Sequence, residues 1–125
     1  MYKLRIPNPL IIMGKPKDKF IKISKDFCEF PGVRLAKVSD HSAEEFYSTL
    51  LKPMFAEVLG SVGKLIVDLD GTAGLAASFL DGAFGSLTLE FGINKVLARL
   101  RIVTIEEPFL YGDIVEYIYD SVKPY

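Results

Sequence analysis

Two aspartates stand close together in the middle of the chain, in the stretch LIVDLDGTAG at residues 65–74. Asp68 and Asp70 are separated by one residue, and Gly71 and Thr72 follow directly. Carboxylates are groups that enzymes use as nucleophiles, acids and bases. Asp and Gly are equally typical of tight loops, because they stabilise turns. The stretch therefore indicates either an active site or a loop whose shape depends on these residues.

The D-x-D-G-T motif resembles the signature of haloacid-dehalogenase-type phosphatases. That resemblance implies that Asp68 is a nucleophile and Asp70 an acid/base in a Mg²⁺-dependent reaction. Those enzymes have the motif on the first strand of a larger sheet and use a later acidic pair at the metal site. Here the motif lies in mid-chain, and the only later acidic pair, Glu106-Glu107, falls at a predicted helix start. A phosphatase is kept as the alternative function, because a short motif needs its structural context.

Composition excludes several other kinds of site. The net charge is −1, from 15 basic and 16 acidic residues, so no bulk charge attracts nucleic acid or anionic lipid. The single Cys28 and the single His41 exclude an internal disulfide and a Cys- or His-rich metal site within one chain. We predict no metal and no cofactor. No apolar run reaches membrane length, so we expect a cytoplasmic protein.

Half of the 125 residues are hydrophobic, which is enough for the core of one domain. Residues 1–19 are rich in proline and are predicted to form an N-terminal arm or an extra strand or hairpin. Residues 20–125 are predicted to form the domain itself.

Hydrophobic periodicity in the domain predicts strands, helices and their order. Strands are expected at 20–24, 33–39, 64–70 and 95–104, and the first two could pair with each other. Helices are expected from a capping box at Ser42 to Gly60, with an interruption at Pro53, then over 75–91, and after Pro108. The expected apolar stripes are Phe46, Leu50, Leu51, Met54 and Val58 in the first helix, and Tyr111, Val115, Ile118 and Val122 in the last. The order indicates an α/β fold with a βαβ unit over 64–104.

The helix predicted over 75–91 has one apolar face and one face of small and polar residues. The residues expected to point inward are Ala76, Phe79, Leu80, Ala83, Phe84 and Leu87. The opposite face carries Ser78, Asp81, Gly82, Gly85 and Ser86. Glycine inside a helix costs about 1 kcal/mol relative to alanine, so this face needs a compensating contact. Either a partner protein docks on it or a second helix of the same domain covers it.

Three sequence blocks together are similar to a STAS-like domain family of unknown function, small bacterial domains related to anti-sigma-factor antagonists. The blocks are D-F…P-G-x-R at 26–34, S-x-E-E-F…L-L-x-P at 42–53 and V-D-L-D-G-T…S-F-L-x-x-A-F-G at 67–85. The resemblance extends from residue 20 to about residue 118. It implies a STAS-like mixed β-sheet with helices packed mainly on one face.

The same resemblance implies a non-enzymatic, regulatory protein-interaction domain. Related antagonists bind GHKL-type ATPase kinases, and phosphorylation of a Ser or Thr at the start of the helix after the central strand switches that binding. Ser78 falls at the corresponding place and is the candidate phosphoacceptor, with Ala76 and Phe79 where the relatives have Asp and Gly. The candidate partner-docking residues are Asp70, Gly71, Thr72, Ser78, Asp81, Gly82 and Gly85.

A homo-oligomeric structural or assembly protein is a further alternative. Tyr117, Tyr119 and Tyr125 are expected to be exposed, and tyrosines are common in interfaces. The arm at 1–19 could pair with the sheet edge of a second copy. A homodimer is also compatible with the regulatory function.

Overall fold

The computed structural model of the chain describes residues 17–29, 31, 42–72 and 74–123. Most of the predicted arm, the predicted strand over 33–39 and His41 lie outside the described residues, as does Tyr125.

A parallel sheet forms the centre of the described fold, with the strand order β1-β2-β3. Val67 pairs with Ile21 on one side and with Ile102 on the other, and all three are buried on the same face of the sheet. The opposite face carries Phe20, whose side chain is 42% exposed. The strands are β1 (Lys19–Lys22), β2 (Leu65–Asp68) and β3 (Leu100–Val103).

Five α-helices accompany the sheet in the described part of the chain. Helix α1 begins at a capped residue, since the Ser42 Oγ accepts a hydrogen bond from the Glu45 amide at 3.1 Å, which confirms the predicted cap. A π-helical segment, Tyr47–Leu51, joins α1 to α2 directly before Pro53, which has no amide hydrogen to continue the α-helical pattern. The helices are α1 (Ala43–Phe46), α2 (Lys52–Leu59), α3 (Ala77–Phe91), α4 (Ile93–Arg99) and α5 (Phe109–Ser121).

One hydrophobic core joins the helices to the covered face of the sheet. Its largest fully buried side chains include Phe46, Phe55, Phe79 and Phe84. The rings of Phe46 and Phe79 lie 5.5 Å apart, between centroids, so aromatic packing ties α1 to α3. The helices therefore pack mainly on one face of the sheet, and the predicted α/β, STAS-like fold class is confirmed. The described strands all pair in parallel.

Two predictions about elements are wrong. Residues 95–104 do not form one strand: α4 extends to Arg99, and only Leu100–Val103 is β3. Helix-forming residues precede the strand, and Val96 and Leu100 are buried at helical spacing, one turn apart. The stripe of α5 is also shifted, because its buried residues are Leu110, Ile114 and Ile118, whereas Val122 is 45% exposed.

A polar contact on the surface joins the first helical region to the end of α3. The hydroxyl of Tyr47 donates to the Glu90 carboxylate, and the Lys52 ammonium lies 2.8 Å from its other oxygen. The hydrogen bonds from Lys52 and from Tyr47 lower the pKa of Glu90 below its ordinary value of 4.5. Burial, followed by the bond to Glu90, raises the pKa of Tyr47.

The lowered pKa of Glu90 predicts a pH-dependent contribution to stability. The unfolded chain protonates Glu90 more readily than the folded protein does, so the contribution is complete above pH 4.5 and is lost as the pH falls through the folded-state pKa. Glu90→Gln should lower the melting temperature at neutral pH and match the wild type in strong acid, as measured by circular dichroism. Glu116→Gln, at an exposed position in α5, is the control. An offset of the same size at every pH would contradict the prediction.

Candidate functional site

The candidate site lies where β2 and β3 end, at the carboxyl edge of the parallel sheet. The β2–α3 loop (residues 69–76) and the β3–α5 loop (residues 104–108) meet there. This edge is where open α/β sheets commonly bind ligands, because the loops diverge from neighbouring strand ends. The loops enclose a cleft of about 400 Å³. The residues that line it are Leu69, Asp70, Thr72, Gly74, Thr104, Glu106, Glu107 and Leu110.

Hydrogen bonds between the two loops centre on Asp70. Its Oδ2 accepts from the Ile105 amide at 3.1 Å, and its Oδ1 accepts from the Glu106 amide at 2.9 Å. In return, the Glu106 Oε1 accepts from the Gly71 amide at 2.9 Å. We refer to these three bonds as the loop–loop network. Each carboxylate binds backbone donors of the other loop, so the network fixes the two loops relative to each other.

Further hydrogen bonds join the β2–α3 loop to Asp68 and to residues at the end of β1 and directly after it. The Asp68 Oδ1 accepts from the Asp70 amide at 2.9 Å, an Asx-type turn, and its Oδ2 lies 3.2 Å from the Lys22 Nζ. Lys22 and Ser24 also donate to the Asp70 carbonyl oxygen, at 3.0 and 3.3 Å. Gly71 has a φ of 93°, and a Cβ there would lie 2.7 Å from the Ser24 Oγ. Only glycine suits that position.

These contacts give both aspartates a structural role. The Asp70 carboxylate accepts two backbone hydrogen bonds, and the Asp68 carboxylate binds one amide and one ammonium group. Lys22 is the partner of Asp68 in the structure. Across the described ranges, no group of three or more His, Cys, Asp or Glu side chains is arranged to hold a metal ion.

Ser78 is the second residue of α3, directly after the loop. Its side chain is half-buried, and the preceding Ala76 and Ala77 are exposed. Ala76 is the N-cap residue directly before the helix, and no side chain among the described residues makes a capping hydrogen bond there. The sequence places the phosphoacceptor candidate at the positive end of a helix, and the structure agrees. Gly71, Thr72 and Ser78 thus lie on the same segment.

The remaining docking candidates, Asp81, Gly82 and Gly85, lie further along α3. Gly82 and Gly85 are buried, so the expectation that they face solvent is wrong. A Cβ built on Gly85 would lie 3.7 Å from the Ser121 Cβ of α5. Burial, followed by the negative charges of Asp113 and Asp81, raises the pKa of Tyr117 on α5. Asp81 therefore faces α5 as well.

The contact between α3 and α5 corrects two predictions together. Gly85 compensates for its low helix propensity by admitting α5 closely, and Gly82 is buried too, which agrees with the internal packing alternative. Tyr117 is half-buried and packs against the core, so it is not one of the exposed tyrosines. Tyr119 is 49% exposed, as expected. In the described part of the chain, no helix is long and apolar enough to span a membrane.

Sequence reasoning missed the partners of the two aspartates, which are Lys22, Ser24 and Glu106. The available signal was the predicted βαβ unit. Consecutive parallel strands place the loops after β2 and β3 at one edge, so an acid in one loop can reach amides of the other. Glu106 was interpreted only as an acid near a helix start.

Replacing Asp70 should loosen the site and destabilise the fold. Asp70→Ala leaves the Ile105 and Glu106 amides without their acceptor, and loss of such charge-assisted bonds costs about 2 kcal/mol. Urea unfolding should report this loss as a lower midpoint. Glu107→Ala is the matched control, because it removes an exposed carboxylate from the same cleft. Equal stability of the two variants would show that the network contributes little.

Comparison with known families identifies one family that matches the chain. The model of a STAS-like domain of unknown function matches residues 42–109, which include α1 to α4, β2, β3 and all of the residues that line the cleft except Leu110. Comparisons with curated proteins and with solved structures find no match. The matched segment is more than half of the 125 residues, so the chain belongs to this family of STAS-like domains of unknown function.

Proposed function

We propose that this protein is a non-enzymatic, regulatory protein-interaction domain. It binds its partner through the β2–α3 loop and the first turn of α3. One observation carries the proposal: the loop–loop network fixes an otherwise exposed loop, and this loop leads directly to Ser78. A pre-organised loop loses less conformational freedom on binding than a flexible one does.

The exposed residues of this segment are small. Gly71, Gly74, Ala76 and Ala77 all face solvent, so another backbone can approach without displacing side chains. Of the other residues on the docking face expected from the sequence, Gly82 is buried, and Asp81 and Gly85 face α5. The proposed docking surface is therefore the amino end of α3 and its loop, not the length of the helix.

Binding rather than catalysis is also supported by the two aspartates. A phosphatase of the D-x-D-G-T kind needs Asp68 as a nucleophile, but Asp68 accepts a loop amide and pairs with Lys22. It needs Asp70 as an acid/base, but both Asp70 oxygens accept backbone hydrogen bonds. These contacts support a loop-shaping role for the motif.

The partner that we propose is an ATPase-type kinase, and the switch is phosphorylation of Ser78. A phosphate on the second residue of α3 would add about two negative charges at the positive end of the helix. It would therefore be accepted by the fold and would still change the docking surface. The likeness to antagonists that bind GHKL-type ATPases supports this choice of partner.

The docking surface predicts that one substitution removes binding without unfolding the domain. Ala77→Glu adds a bulky charge at an exposed position in the first turn of α3, where an acid is tolerated. With the purified protein as bait in an extract of the native host, the variant should capture about tenfold less of an ATPase-type kinase than the wild type. Mass spectrometry identifies the captured protein.

Ala56→Glu is the matched control for this capture. Ala56 is an exposed alanine in α2, ahead of the amino end of β2 and away from the loop. It should capture as much kinase as the wild type. Circular dichroism must show that all three proteins are folded. Equal capture by wild type and Ala77→Glu would contradict the proposed surface, and capture of no kinase would contradict the proposed partner.

Ser78 phosphorylation gives a separate prediction. Incubation of the wild type with the captured kinase and ATP should add one phosphate, located at Ser78 by mass spectrometry, and Ser78→Ala should accept none. Ser86→Ala replaces an exposed serine two turns further along α3 and should be phosphorylated like the wild type. Phosphate on Ser78→Ala would exclude Ser78 as the phosphoacceptor.

A further inference from the structure

We propose that the cleft at the carboxyl edge, together with the exposed segment 105–109, binds a partner segment in which a basic residue stands next to an apolar one. The inference rests on the proposed function, because it gives the chemistry of the partner at the same loops. It extends the docking surface from the start of α3 across the cleft to the start of α5.

Segment 105–109, with the sequence Ile-Glu-Glu-Pro-Phe, is exposed along its whole length. Ile105 is 51% exposed and Phe109 is 64% exposed, although both are large apolar residues. Two adjacent acids, Glu106 and Glu107, stand between them in the sequence, so exposed apolar and negative groups are combined within five residues. Clustered apolar residues with a polar rim are typical of interaction sites.

The segment is fixed in position rather than loosely attached. Asp70 binds the amides of Ile105 and Glu106, and the Thr104 hydroxyl donates to the Glu107 carbonyl oxygen at 2.8 Å. The amide of Leu110 donates to the same oxygen at 3.0 Å. These bonds fix the backbone at Ile105 and on the amino and carboxyl sides of Phe109. A rigid apolar surface binds with a smaller entropic loss.

Charge complementarity identifies the occupant. Asp70, Glu106 and Glu107 line the cleft, and none of its lining residues is basic. The loop–loop network occupies both Asp70 oxygens and one Glu106 oxygen, whereas Glu107 projects from an exposed position. A guanidinium or ammonium group suits this surface, and arginine can bind a carboxylate through two donors. Nucleic acid is excluded by its negative charge.

The site is concave, so it suits a partner that inserts a side chain better than a partner with a flat surface. At about 400 Å³, the cleft lies within the usual range of small binding pockets. A basic side chain entering it would place its apolar neighbour against the rim, where Ile105 and Phe109 are exposed. The partner therefore needs a basic side chain for the acids of the cleft and a neighbouring apolar side chain for Ile105 and Phe109.

Peptide selection tests the inference directly, because it requires no identified partner protein. A random peptide library displayed on phage is selected on the immobilised full chain. Enriched peptides should contain Arg or Lys next to a large apolar residue. Fluorescence anisotropy with synthetic copies should show that Glu107→Gln weakens binding about threefold and Phe109→Ser about tenfold. Added salt should weaken binding further, because exposed charges are screened.

Glu116→Gln and Leu89→Ser are the matched controls, because they remove an exposed carboxylate and an exposed apolar side chain elsewhere. Both should bind the peptides like the wild type. Enriched peptides without the basic–apolar pair, or peptides that Glu107→Gln and Phe109→Ser bind normally, would overturn the inference. The same holds if no peptide is enriched. None of these results decides the proposed function, which depends on the kinase capture with Ala77→Glu.

Discussion

The Asp70 carboxylate accepts hydrogen bonds from backbone amides, and the carboxyl edge of the sheet depends on this interaction. Parallel strands end at one edge, and the chain must leave β2 and β3 there through loops that contain unpaired amides. Asp70 binds two amides of the β3–α5 loop, and Glu106 binds one of the β2–α3 loop. Because the exchange is reciprocal, neither loop can move far without breaking bonds of the other. These bonds thereby keep the cleft, the exposed segment 105–109 and the start of α3 in one arrangement.

A second constraint is the contact between α3 and α5. Gly85 lets the two helices come close together and Gly82 is buried as well, so this face of α3 belongs to the interior, whereas Ala77 at its amino end is exposed. The helix thus combines two roles along its length: buried glycines in its middle, and an uncapped start at which Ala77 is exposed and Ser78 half-buried.

The sequence predicted the features that depend on local patterns. The cap at Ser42, the helix over most of 75–91 and the buried strand at 65–68 follow from side-chain spacing and turn chemistry, and the structure has them all. Features that depend on contacts between different helices and strands were harder to predict. Small residues look alike whether they face solvent or a neighbouring helix, so the positions of Gly82 and Gly85 required α5 to be placed.

In the candidate site, too, local features could be predicted from the sequence, whereas contacts between distant residues could not. A turn-forming role for Asp68 could be considered from the motif, because an Asx turn is a local structure. Its ion pair with Lys22, and the bonds from Asp70 to Ile105 and Glu106, join residues far apart in sequence. Over residues 95–104, apolar alternation predicts one long strand, whereas the helix-forming residues of its first half belong to α4. Predicting the boundary between α4 and β3 required both the helix propensity of these residues and the burial of Val96 and Leu100.

The parallel pairing of β1 with β2 has a consequence for the boundaries of the domain. The family match begins at residue 42, but Ile21 and Ile23 of the preceding segment are part of the core, and Lys22 balances the charge of Asp68. At the other end, Ile114 and Ile118 of α5 lie beyond the match and belong to the same core. The hydrophobic core thus includes residues on both sides of the segment that the family model matches. A protein trimmed to that segment would expose β2 as a sheet edge and uncover the glycine face of α3.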